Sequence, residues 1–129
     1  MHEMLFRGKR KDNGEWIEGK GIYIDYDTAL IFVDDCDYSV NAYSIDDFEV
    51  IPETVGRYTG LTDKNGRKIF EGDIVKRGFE IYIVRWNEEQ FKYDFYTLNG
   101  AIQSGFNIFA KDYTEVIGNI YDNPELLEA

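Results

Sequence analysis

Few residues of this 129-residue chain are of the types that carry out covalent chemistry. There is one histidine, His2, and one cysteine, Cys36. A serine or cysteine nucleophile needs a base beside it, and His2 stands at a terminus, where chains are commonly unanchored. Cys36 sits in Asp34-Asp35-Cys36-Asp37, where the adjoining carboxylates disfavour a reactive thiolate. One thiol allows no internal disulfide, and a zinc centre lacks its ligand set. Carboxylates are plentiful, and Asp25/Asp27 and Asp34/Asp35/Asp37 are close enough in sequence to suggest calcium or magnesium. A calcium loop opening at Asp25 or Asp63 would lack its sixth-position glycine. It would end on Cys36 or Ile74, where a glutamate belongs. Gly60, Gly66 and Gly72, with Lys64 and Lys68 nearby, do not make a phosphate loop, because no Ser or Thr follows the lysine of Gly66-Arg67-Lys68-Ile69. No catalytic residue, metal or cofactor is therefore expected, and the chain reads as a non-enzyme.

Binding chemistry is better represented. Residues 21–56 carry nine carboxylates and no base: Asp25, Asp27, Asp34, Asp35, Asp37, Asp46, Asp47, Glu49 and Glu53. They account for most of the net charge of -11. Asp34, Asp35, Asp37, Asp46 and Asp47 are the candidate contacts for a basic partner protein, or for a DNA-mimicking inhibitor of a DNA-binding enzyme. A solvated acidic face that keeps an aromatic-rich protein soluble is the plainer reading of the same residues. The second candidate surface is Lys76, Arg77, Arg85, Trp86, Lys92, Tyr93 and Tyr96, where bases alternate with rings as in single-strand binders. Arg85, Trp86 and Lys92 are its centre. The acidic total argues against nucleic acid as the partner.

These groups must be positioned by a mainly β fold. Aromatics are 16% of the chain, and they favour strands. Asn-Gly at 13–14, 65–66 and 99–100 marks tight hairpin turns. Strands are expected around Met4–Lys9, Glu15–Gly19, Gly21–Tyr26, Ala29–Val33, Phe48–Ile51, Thr59–Thr62, Lys68–Phe70, Asp73–Lys76, Glu80–Trp86, Phe91–Tyr96 and Thr114–Tyr121. Alternation places Phe91, Tyr93 and Phe95 on an inner face, with Lys92 and Asp94 outside. Asp63-Lys64-Asn65-Gly66 fits either a type I turn with a glycine bulge or a two-residue loop centred on Asn65-Gly66. Gly60, Asp63, Asn65, Gly66, Gly72 and Asp73 are read as turn residues. Asn123-Pro124 opens a short helical turn with Asn as its cap. Residues 57–129 are expected to form an SH3-like small barrel, packed with an antiparallel β unit of residues 1–56. No window resembles a signal peptide or a membrane span, so a cytoplasmic protein is expected. Exposed sheet edges make a homo-oligomer plausible.

Four blocks carry a family resemblance. They are Phe6-Arg7-Gly8-Lys9 with Asn13-Gly14-Glu15-Trp16 and Gly19, then Glu53 through Gly66, then Ile69-Phe70-Glu71-Gly72-Asp73-Ile74-Val75, and finally Glu115 through Leu127. Together, and in this order, they resemble the YopX family. The resemblance implies a small β-rich protein of phage or prophage origin with an SH3-type barrel. It brings no catalytic residues. Ala29–Phe48 and Phe91–Asp112 match none of its motifs.

Overall fold

The computed structural model describes residues 4–32, 49–103 and 113–128. The chain divides into two compact units, Met1–Arg57 and Tyr58–Ala129.

In the first unit, β1 (Phe6–Lys9) pairs antiparallel with β2 (Trp16–Gly19) around the Asn13-Gly14 turn. β3 (Gly21–Ile24), β4 (Ala29–Phe32) and β5 (Glu49–Val50) form a three-stranded sheet. Alternation buries Ala29 and Ile31 of β4 with Val50, and Phe6, Ile17 and Val55 pack around them. Two glycines permit this closeness. A Cβ on Gly8 would lie 2.8 Å from the Val50 side chain, and one on Gly19 would lie 2.2 Å from the Phe32 carbonyl oxygen. After β5, a single 3₁₀ turn (Pro52–Thr54) redirects the chain. Thr54 ties that turn to β1: its Oγ1 accepts from the Lys9 N–H at 2.9 Å and donates to the Ile51 carbonyl at 2.6 Å. β6 (Gly56–Thr62) begins here, with Arg57 opposite Phe6.

In the second unit, the rest of β6 pairs with β7 (Lys68–Phe70). β8 (Asp73–Arg77), β9 (Glu80–Asn87), β10 (Lys92–Tyr96), β11 (Ile102–Gln103) and β12 (Glu115–Asn119) form an antiparallel sheet in the order β11-β10-β9-β8-β12. One face supplies Val75, Tyr82, Val84, Phe95 and Val116, which form the core with Ile69. Tyr82 and Phe95 stack at 5.3 Å. The run of five short strands expected over 73–121 is present. The closed barrel is not: among the described residues no ladder joins β11 to β12, and the sheet has two edges.

The loop between β6 and β7 resolves the two readings of Asp63–Gly66. Gly66 is left-handed (φ 82°), and Phe91 is the only non-glycine residue with positive φ among those described. A two-residue loop centred on Asn65-Gly66 needs positive φ at both positions, so the type I turn with a glycine bulge is the one formed. Its closing bonds are Gly66 N–H to Asp63 O at 3.0 Å and Asp63 N–H to Arg67 O at 2.8 Å. Asp63 itself is 2% exposed. Its Oδ1 accepts the N–H groups of Asn65 and Arg67, both at 2.9 Å. Its Oδ2 accepts the N–H of Val116 in β12, also at 2.9 Å. The Lys64 N–H adds a bond to the Thr114 carbonyl at 3.0 Å.

Two expectations need correction. Phe91 is not on the inner face. It has φ 54° and is 78% exposed in the β9–β10 turn, so the alternation begins at Lys92. Asn123 does not cap the closing 3₁₀ turn (Pro124–Leu127). Its Oδ1 instead accepts the Asn119 N–H at 3.2 Å, beside the β12 bulge between Val116 and Gly118.

Asp63→Ala should destabilise the second unit by about 3 kcal/mol, because three backbone N–H groups lose a charged acceptor. Urea unfolding followed by tryptophan fluorescence measures it, and an effect below about 1 kcal/mol would show the three bonds to be dispensable. A second expectation concerns pH. Burial, and then the Glu80 carboxylate that accepts its hydroxyl, raise the Tyr82 phenol above its ordinary value. The folded state therefore keeps this proton longer than the unfolded chain. The stabilisation is complete below about pH 10 and declines as pH rises from there through the folded pKa. Between pH 9 and 11, wild type should lose more of its urea resistance than Tyr82→Phe does. Parallel losses would contradict the assignment.

Candidate functional site

The face of the five-stranded sheet opposite the core carries Arg85, Lys92 and Asp94. Register fixes this. Lys92 lies opposite Asn87, Asp94 opposite Arg85, and Tyr96 opposite Ile83. The intervening residues turn to the core: Tyr93 opposite Trp86, and Phe95 opposite Val84. Arg85 and Lys92 therefore share a face, as the sequence suggested, whereas Trp86 is on the other. Its ring meets Tyr93 edge-on at 5.0 Å. The alternation of β9 alone could have placed Trp86 away from Arg85, since adjacent strand residues never share a face.

Alternation places Asp94 outside with Lys92; it does share that face, but it is not exposed to solvent. It is 1% exposed. Asn87 Nδ2 donates to its Oδ2 at 3.0 Å, and Lys92 Nζ lies 3.6 Å from its Oδ1. Asn87 is positioned by its own turn, since its Oδ1 accepts the N–H groups of Glu89 and Gln90. Lys92 is thus partly neutralised by a buried carboxylate. Arg85 is exposed and forms no ion pair among the described residues. On the core side, Arg77 lies over both the Tyr82 and Phe95 rings, at 5.8 and 5.7 Å.

Beside Arg85 the surface forms an open groove of about 440 Å³, lined by Ile83, Arg85, Tyr96 and the Thr97–Gly100 turn. The turn repeats the Asp63 design with a hydroxyl in place of the carboxylate. Gly100 is left-handed (φ 90°), the Gly100 N–H donates to Thr97 O at 3.0 Å, and the Ala101 N–H donates to Thr97 Oγ1 at 3.1 Å. Thr97 Oγ1 also donates to Asn99 Oδ1. The groove thus combines one aromatic ring, two aliphatic side chains, an amide and an exposed guanidinium on an antiparallel ladder. It can hold an apolar group and an acceptor together. Asn99-Gly100 announced the turn, but the groove depends on Tyr96 and Ile83 facing each other across strands, which sequence alone does not reveal.

The acidic candidates divide differently. Asp34, Asp35, Asp37, Asp46 and Asp47, with Cys36, lie outside the described residues. Asp25 is described and serves its own hairpin: Oδ1 accepts the Tyr26 N–H at 2.7 Å, and the Tyr23 hydroxyl donates to Oδ2 at 3.3 Å. Glu49 accepts from Lys11 Nζ at 3.2 Å. Among the described residues no three His, Cys, Asp or Glu side chains are grouped to hold a metal. No helix among them is long and apolar enough to cross a membrane. Of the turn candidates, Gly66 and Gly72 have positive φ in turns, Asp63 and Asn65 belong to the loop above, and Asp73 Oδ2 accepts the Phe70 N–H at 2.7 Å. Gly60 also has positive φ but is not in a turn, lying inside β6 at the register shift between Tyr58 and Thr62.

Comparison with known proteins adds the following. The chain is similar to a crystal structure of protein EF1440 from Enterococcus faecalis, with 25% sequence identity and a TM-score of 0.55. The match covers 99% of this chain and 100% of that one. No curated protein matches it. The family model described as YopX protein matches residues 5–128, which include all four blocks of the sequence resemblance, and the chain belongs to the YopX family.

Proposed function

We propose that this chain is a non-enzymatic protein-binding module of phage or prophage origin, working in the host cytoplasm. The groove beside Arg85 takes a short segment of a partner protein. The observation that carries this reading is the pairing of an exposed guanidinium, without an ion pair among the described residues, with an aromatic and aliphatic floor on one antiparallel ladder. Such a floor takes up an apolar side chain, and Arg85 selects a carboxylate or carbonyl next to it. The β8–β11 meander with β12 returning beside β8 suits an SH3-type barrel left open at one side, which is the finer fold we assign here. The buried carboxylates support a binding role over a catalytic one: Asp63, Asp73 and Asp94 accept from backbone or amide donors that hold the fold.

The nucleic-acid reading is weakened by a specific feature. Trp86 and Tyr93 are turned to the face opposite Arg85 and Lys92, which leaves Tyr96 alone of the three candidate rings on the basic face, short of the row of rings on which successive bases stack.

A displayed random-peptide library panned against wild type should enrich peptides that combine an acidic residue with an apolar one. Arg85→Glu should weaken the selected peptides by about tenfold or more, as loss of a charged hydrogen bond implies, and Tyr96→Ala should weaken them as well. Peptides that bind both variants as tightly as wild type would remove the groove from consideration.

A further inference from the structure

We infer that β3 is a self-pairing edge: two copies of this chain join their β3 strands antiparallel about a two-fold axis, with Tyr23 facing Tyr23 of the other copy. The inference concerns the first unit and is independent of the Arg85 groove.

Backbone parity sets the register. The Asp25 N–H donates to Thr28 O at 2.8 Å, and the Thr28 N–H donates back to Asp25 O at 3.4 Å, so Asp25 and Thr28 are a hydrogen-bonded pair. The ladder continues through Ile24 opposite Ala29, Tyr23 opposite Leu30, and Ile22 opposite Ile31. Hydrogen-bonded and non-bonded pairs alternate in an antiparallel ladder. Tyr23 therefore directs its N–H and C=O toward β4, while Ile22 and Ile24 direct theirs away from it. β3 is an edge strand, so these four groups meet no strand among the described residues. A second copy running antiparallel satisfies them when Ile22 of each copy faces Ile24 of the other. Tyr23 then lies on the axis as the close, non-bonded pair.

The side chains agree with this register. Ile22 and Ile24 point to the same face as Ala29 and Ile31, which are 0% exposed. Ile24 is nevertheless 60% exposed, so the core of this sheet is left uncovered at its edge. Pairing Ile22 with Ile24 across the axis extends that core. Tyr23, 50% exposed on the other face, gains a second ring. Charge follows the same pattern. Lys20 comes opposite Tyr26, which is fully exposed, and Asp25 comes opposite Gly21, so no like charges are set face to face. A strand pair this short buries less than the roughly 1,200 Å² of a standard interface, so the dimer is weak and concentration-dependent. Both copies are strongly negative, and added salt strengthens the association by screening their repulsion.

Sedimentation of the full chain across a micromolar-to-millimolar series tests this. Wild type should pass from monomer to dimer, at lower concentration in high salt. Ile24→Pro removes an outward N–H that the intrachain ladder does not use, and should weaken dimerisation about tenfold or more. Tyr23→Cys in a Cys36→Ser background should cross-link on mild oxidation, whereas Asp25→Cys, which faces Gly21, should not. Wild type that stays monomeric throughout would overturn the inference. So would a dimer that survives Ile24→Pro, or one that Tyr23→Cys does not cross-link. If Ile24→Pro fails to fold, the two cysteine variants decide.

Discussion

A single carboxylate joins the parts of the second unit. Asp63 is buried, and among the described residues its carboxylate bonds only to backbone N–H groups: two in its own loop and one in β12, 53 residues further along the chain. The local pair fixes the turn between β6 and β7. The distant bond places the start of β12, and Val116 then enters the core beside Val75 and Phe95. A neutral side chain of the same size could accept only part of this set, and an apolar one would leave three buried donors unpaired. The asparagine beside it, Asn65, adds a second link to β12, its Nδ2 donating to Glu115 Oε2 at 3.3 Å.

The four blocks of the sequence resemblance follow the same logic. Thr54 ties the 3₁₀ turn to β1, and Thr59 Oγ1 donates to the Ile69 carbonyl at 2.8 Å. Asp73 holds the β7–β8 turn through Phe70. Gly8 and Gly19 let neighbouring strands approach where any Cβ would collide. The shared blocks are thus chiefly backbone-bonding side chains and glycines at closures. The groups of the proposed binding groove lie elsewhere: Arg85, Tyr96 and the Thr97–Gly100 turn, outside the four blocks of the sequence resemblance.

Local features were legible in the sequence and distant ones were not. Gly14, Gly66 and Gly100 all take the left-handed conformation that Asn-Gly pairs advertise. Period-two alternation found the strands and placed Tyr93 and Phe95 correctly. It failed at Phe91, because a turn residue with positive φ has no strand face to occupy. It also failed to separate Trp86 from Arg85, because shared chemistry was allowed to outweigh strand parity. The bond from Asp63 to Val116, the burial of Asp94 and the groove across β9 and β10 all depend on pairings between residues far apart in the chain. The mainly β character was readable from aromatic content and turn spacing. The open five-stranded sheet was not, because closure is decided by which edges meet.

The most direct test of Asp63 as the organising group is native-state hydrogen exchange at the N–H groups of Asn65, Arg67 and Val116. If one buried carboxylate holds all three, they exchange together, at the slow rate of core amides such as that of Val84, because releasing any of them requires the unit to open. Exchange of Asn65 and Arg67 at the rate of an exposed hairpin turn, with Val116 still slow, would contradict it. The loop would then be a surface feature, with β12 held in place by its other contacts.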